Sequence, residues 1–238
     1  MSVIVAPGTT PAALAARAAT TTIPIVFGVG DDPVKLGLVA SLARPGGNAT
    51  GINFFTAVAA KRLGLLRELL PAATRLAVLV NPTDSIRRET VEREMKTAAA
   101  AIGLQFQVVD ASTSREIDAA FATLAAAAPD VLFVGPDPFF YSRRGQLALQ
   151  AARHAIPASY AIRDYAEAGG LMSYGTNVTA AYHQVGVYAG RILKGAEPAD
   201  LPVQQSTKFE LVINLQAART IGLDVPPQLL ARADEVIE

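Results

Sequence analysis

The chain is 238 residues long, 51% hydrophobic and 18% charged, a balance that supports a sizeable core and excludes disorder. Its 21 basic and 21 acidic residues cancel, which removes the simplest electrostatic case for nucleic acid or an anionic membrane surface. With no cysteine there is no disulfide, no thiolate nucleophile and no cysteine-ligated metal.

The opening "MSVIVAPGTTPAAL" has no basic region before its apolar run, so it reads as a strand and turn, not a signal peptide. The apolar segments are short and broken by Gly, Pro or Arg, too short to cross a bilayer as helices. Short β-branched runs at 3–6, 23–29, 49–54, 75–81, 105–111, 131–135, 156–161 and 171–175 read as strands. Ala-rich stretches between them, such as 59–70, 88–103 and 114–128, read as helices. Ser114 and Ser142 stand where helices should open, and Gly103 where one should end. This alternation predicts an α/β fold with mainly parallel strands.

Two stretches look alike. "IVFGVGDDPVKLGLVASLARPG" runs from a strand through Gly-Asp-Asp-Pro towards a helix, and "VLFVGPDPFFYSRRGQLALQAARHAIP" does so through Gly-Pro-Asp-Pro. Such a repeat follows if the chain builds two related α/β lobes, with a boundary near "LLPAATR" (69–75), where a helix ends at a proline before a fresh strand. The polar, Pro-containing segment 193–207 reads as a linker or crossover.

Ligands of open parallel sheets sit at the carboxyl ends of the strands, where loops and helix N-termini converge. The loops there include "PGTTP", "GVGDDP", "NPTDS", "GPDPFFYS", "YAIRD" and "YGTN", a mixture of hydroxyl, amide, carboxylate and aromatic groups that suits a small solute with an apolar body and polar ends. Turn chemistry alone also puts Asx and Ser/Thr residues after strands. Thr9 or Thr10 can cap a helix whose first residue is Pro11, and "PGTTPAAL" lacks GxxxxGK(S/T). His154 and His183 have no second ligand at metal spacing, and neither GxSxG nor HExxH occurs. Adjacent Asp31 and Asp32 suit a cap better than a general base. Arg143, Arg144 and Arg163 near strand ends are candidate carboxylate clamps, weighed against solvated first-turn arginines. The residues point to binding without catalysis, cofactor or metal.

"RPGGNATGINF", "LAVLVNP", "GPDPFFYSRR", "AARHAIPASYAIRDYAEAGGLMSYGTN" and the segment from "GVYAGRILKGAEPADLP" to "LLARADEVI" resemble the ABC-transporter substrate-binding protein family that includes tryptophan- and tyrosine-binding lipoproteins. The resemblance implies a type I periplasmic binding protein fold: two doubly wound parallel-sheet lobes joined by crossovers, closing on a ligand in the cleft. Lobe one is expected at 1–74 plus 175–205, and lobe two at 75–174 plus 206–238. It also implies a solute receptor in the periplasm that hands its ligand to a membrane permease. The same fold serves effector domains of regulators and receptors, and a flavodoxin-like enzyme is a third reading. A regulator should carry a basic helix-turn-helix, and none is visible. Family members usually start with a secretion signal and two further strand–helix units, so lobe one is expected to be incomplete and the chain to self-associate through it. For the ligand, the resemblance implies aromatic walls from Phe139, Phe140, Tyr160 and Tyr174. It assigns Asp137 as an acceptor, and Thr9, Thr10 and Asp32 as polar contacts from lobe one. One of Phe139 and Phe140 is expected to pack inward.

Overall fold

The computed structural model describes residues 2–54 and 58–238. In chain order the elements begin with β1 (Ile4–Pro7), α1 (Thr10–Ala19), β2 (Ile25–Val29), β3 (Ala49–Asn53), α2 (Ala59–Leu69), β4 (Arg75–Val80) and α3 (Ser85–Ala101). They continue with β5 (Gln105–Asp110), α4 (Ser114–Ala127), β6 (Val131–Val134), α5 (Pro138–Ser142), α6 (Arg144–Arg153), β7 (Ala158–Tyr160) and α7 (Arg163–Glu167). The last are β8 (Met172–Thr176), α8 (Val178–Leu193), β9 (Gln204–Gln205), β10 (Phe209–Asn214), α9 (Leu215–Thr220), α10 (Pro227–Leu230) and β11 (Glu235–Ile237). The fold is α/β with parallel sheets.

The chain forms two compact units, one of Met1–Thr56 and Thr176–Phe209, the other of Ala57–Gly175 and Glu210–Glu238. The first boundary thus lies well before the expected 74, because α2 belongs to the second unit. Its buried residues Leu63, Leu66 and Leu69 pack in one core with Val78, Met95 and Phe133.

The first unit's sheet runs β1–β2–β3–β9, with every pair parallel. Alternation along β2 feeds two apolar layers, as a strand covered on both faces requires. Ile25, Phe27 and Val29 meet Ala13 of α1, while Val26 meets Ala181, Val185 and Ile192 of α8. No helix follows Asp32, although the sequence repeat predicts one there. Residues 33–37 make one turn, with Leu36 N donating to Asp32 O and Leu38 N to Pro33 O, both at 3.0 Å. Gly37 then takes a left-handed φ of 70°, which an α-helix cannot absorb.

The second unit's sheet has the order β5–β4–β6–β7–β8–β10–β11. The pairs from β5 to β8 are parallel, as is β10 with β11. Leu76, Val78 and Val80 of β4 enter one layer beneath α2 and α3, and Ala77 and Leu79 enter another with Phe121, Leu124 and Leu147 of α4 and α6. Neither β10 nor β11 is anticipated from the sequence. Two helix signals also shift by a residue or more: Thr113 is the cap of α4 and Ser142 closes α5.

Asp130 pins the entry to β4. Its Oδ2 accepts from Thr74 N at 2.7 Å, Arg75 N at 2.9 Å and Thr74 Oγ1 at 3.0 Å. Those N–H donors, led by Thr74, hold its carboxyl down at about 2, against an ordinary 3.8. A carboxyl depressed on folding stabilises the folded state at pH values above its unfolded pKa, and that gain fades as pH falls towards 2. The shift corresponds to about 2 kcal/mol, or about 1 kcal/mol once solvent screening at a side chain 31% exposed is counted. Asp130→Asn should therefore lose about 1 kcal/mol in urea unfolding at pH 7. Repeating the titration near pH 2.5 should shrink the gap to the unsubstituted protein, and a constant gap would refute the carboxylate's role.

Candidate functional site

In the second unit, the chain leaves β4 to form β5 on one side and returns to place β6 on the other. Strand order reverses between β4 and β6, and the carboxyl ends at such a reversal open a crevice. Asn81 follows β4 and Asp137 follows β6. Asn81 Nδ2 donates to Asp137 Oδ1 at 3.2 Å, while Asn81 Oδ1 accepts from Thr83 N at 3.0 Å and Thr83 Oγ1 at 2.8 Å. Asp137 Oδ1 also accepts from Phe139 N at 2.8 Å and Phe140 N at 3.1 Å, which makes it the cap of α5. Its Oδ2 has no hydrogen-bond partner among the described residues. Arg87 Nη1 donates to Pro136 O at 3.4 Å and helps line a small recess with Asn81 and Asp137.

The aromatic loop sorts by depth. Phe140 is 0% exposed, packed with Leu79, Phe121 and Leu147, so it is a core ring and not a ligand wall. Phe139 is half-buried, its ring 5.8 Å from that of Phe140, with the Arg143 guanidinium 5.9 Å above it. Tyr141 is exposed and donates to Asp164 Oδ2 at 2.5 Å. Tyr160 also leaves the expected wall. It is 0% exposed and stacks on Tyr165 at 4.7 Å and 15°, and burial pushes its phenol well above the ordinary range. The cause is its place inside β7, two residues from Ala158, which points it into the same layer as Leu132 and Val134. Tyr174 is half-buried against the other layer.

In the first unit, three loop ends meet at the carboxyl edge of the sheet. Thr9 caps α1 through Ala12 N at 3.4 Å. Thr10, largely buried, donates its hydroxyl to Asp31 Oδ2. Asn53 Nδ2 donates to Asp31 O at 2.7 Å and Val29 O at 3.3 Å. Asp32 is instead taken up by its own turn, accepting from Val34 N at 2.9 Å and Lys35 N at 3.3 Å. The acidic group beside Thr10 is Asp31. Tyr182 of α8 is 45% exposed, edge-on to Phe54 at 5.5 Å, and its hydroxyl lies 2.9 Å from where a Cβ on Gly8 would stand. It adds an aromatic group at this edge that the sequence reading passes over.

Arg163 is no ligand clamp. It meets Glu235 at 2.7 Å, Glu167 at 2.9 Å and Glu210 at 3.5 Å, and these carboxylates raise its pKa while tying α7 to β10 and β11. Arg62 is a different case. It is 1% exposed, lies over the Phe133 ring at 3.9 Å, and donates through Nη2 to Val134 O at 3.0 Å and Ser159 O at 2.6 Å. Burial pulls its pKa down to about 9. Its sequence signal is positional: Arg62, Leu65, Leu66 and Leu69 occupy the i, i+3, i+4, i+7 stripe of α2. No group of acidic and histidine side chains suited to a metal ion occurs among the described residues.

The sequence model of the family described as ABC transporter substrate binding protein matches residues 1–237. A tyrosine-binding protein of Clostridioides difficile (strain R20291) is 29% identical over 216 residues, which is 90% of this chain. The chain spans 61% of that curated relative's length. Among solved structures, a conserved domain protein of Vibrio cholerae is 32% identical with a TM-score of 0.89, over 98% of this chain and 78% of that one. An ABC domain in complex with L-Trp from Streptococcus pneumonia is 27% identical with a TM-score of 0.87, over 99% and 78%. Fold, loop chemistry and family match agree, and the chain belongs to the ABC transporter substrate binding protein family.

Proposed function

We propose that this chain is the solute-binding component of an ABC importer, holding a small aromatic or amino-acid-like ligand between its two units without chemistry. The observation that carries the reading is the carboxyl edge of the second sheet, where the strand order reverses. There Asp137 keeps one carboxylate oxygen without a partner among the described residues, beside the half-buried ring of Phe139. Asp31, Thr10 and Tyr182 supply matching polar and aromatic groups in the first unit. The tyrosine-binding and L-Trp-bound relatives support an aromatic amino acid as the solute. On this reading the protein acts outside the cytoplasm and delivers its ligand to a membrane permease. Self-association through β1 belongs to the same proposal, since β1 is the outer strand of its sheet and Val5 is 43% exposed.

Calorimetric titration with L-tyrosine, L-tryptophan and L-leucine tests the proposal, with light scattering of the same samples across a dilution series. Binding of an aromatic amino acid is expected. Phe139→Ala and Asp137→Ala should each weaken it by about 1–3 kcal/mol. Absence of binding to all three amino acids, or turnover of any of them, would reject it.

A further inference from the structure

Arg62 carries a buried charge with no counter-charge among the described residues. Its guanidinium has five N–H donors. Nη2 uses its two on the carbonyls of Val134 and Ser159. Among the described residues the Nε–H is buried with no acceptor, Nη1 is not among the buried unsatisfied atoms, and the Ser159 hydroxyl is likewise buried and unpartnered. No carboxylate among the described residues stands within ion-pair distance of Arg62. Arg75, Arg88, Arg163 and Arg232, all more exposed, each have one. The group that most favours its charge is the Tyr165 phenol, and burial keeps that neutral.

An isolated buried charge is costly, and two strand carbonyls and the face of Phe133 replace only part of its hydration. Position adds the second observation. Val134 is the last residue of β6 and directly precedes the Gly135–Asp137 loop, so the guanidinium sits under the same carboxyl edge as Asn81 and Asp137. A cation held there without a counter-charge favours an arriving anion, and the close-packed surroundings restrict that anion to a compact one.

We infer that Arg62 and the Ser159 hydroxyl form a recognition site for a compact monoanion: the carboxylate of the bound solute, or a free small anion. The solute source rests on the function proposed above; the free-anion source does not.

The Nε–Hε resonance of Arg62 reports occupancy directly, because a buried N–H lacking an acceptor shifts when one arrives. It can be assigned as the arginine Nε–H slowest to exchange with solvent, and by its absence in Arg62→Lys where that variant folds. The probes are L-tyrosine, L-tyrosinamide, sodium acetate and sodium chloride, with calorimetry in parallel. A shift with L-tyrosine and none with L-tyrosinamide supports the solute carboxylate. Arg62→Met should then weaken L-tyrosine at least about tenfold while sparing L-tyrosinamide, a contrast that a purely structural arginine would not produce. A shift with acetate or chloride alone supports the free anion. If calorimetry shows L-tyrosine binding while the resonance ignores every probe, the Arg62 site is overturned and the proposed function stands. If nothing binds and nothing shifts, both fall.

Discussion

Replacing Phe140 with alanine is expected to cost about 3–5 kcal/mol of folding stability while leaving the folded fraction able to bind solute. The ring is wholly buried among Leu79, Phe121, Val134 and Leu147, so truncation removes its transfer free energy and leaves a cavity between α5 and the sheet. Against a typical total of about 5–15 kcal/mol, that is a large share. Phe139→Ala should behave in reverse. Its half-buried ring supports less of the core, so stability should fall by about 1 kcal/mol or less while affinity drops further. Urea unfolding of both variants, paired with calorimetry on L-tyrosine, separates the roles. Equal effects of the two substitutions on stability would show that both rings are core, and the aromatic wall would have to come from elsewhere.

How these neighbours divide is only partly legible in the sequence. From "GPDPFFYS" a helix is expected to open at Ser142, whereas ahead of α6 Asp137, followed by Pro138, already caps α5. Which phenyl turns inward depends on the direction of that helix over the sheet, which no local pattern encodes. Tyr160 is readable from strand alternation. It lies within a strand, not after one, and alternation from Ala158 already points it at a helix-covered layer. Asp31 and Asp32 are interchangeable as letters. The turn at 33–37 consumes one and leaves the other beside Thr10, and that choice is made by tertiary geometry.

The strands with unbroken β-branched runs, such as β4 and β6, were legible because parallel strands covered on both faces leave no place for polar residues. β10 was not, since Lys208 precedes it and Glu210 interrupts its apolar run, which suggests a surface segment. The structure keeps Glu210 largely buried by setting Arg163 against it, a partner 47 residues away. Arg62 shows the same limit from the other side. It occupies a stripe position of "AAKRLGLLRELL" otherwise filled by leucines, and only the carbonyls of β6 and β7 explain how a charge is accommodated there.

Gly175→Ala is the second substitution with a large expected effect. Gly175 lies in β8 beside the end of β7, and a Cβ there would stand 1.9 Å from the carbonyl oxygen of Ala161. The obstacle is backbone, so no side-chain rotation relieves it. Either β8 or the Ala161 peptide must move by more than about an ångström, and overpacking of this kind costs about 1–3 kcal/mol. The movement also has consequences for the site edge, because Ala161 leads into α7, whose Arg163 ties β10 and β11 together. Gly186→Ala in α8 is the matched control. Nothing lies within 4 Å of its added methyl, and alanine in a helix interior should gain up to about 1 kcal/mol. Urea unfolding of the pair should therefore give shifts of opposite sign. If Gly175→Ala unfolds at the same urea concentration as the unsubstituted protein, β7 and β8 are not as closely apposed at their carboxyl ends as described.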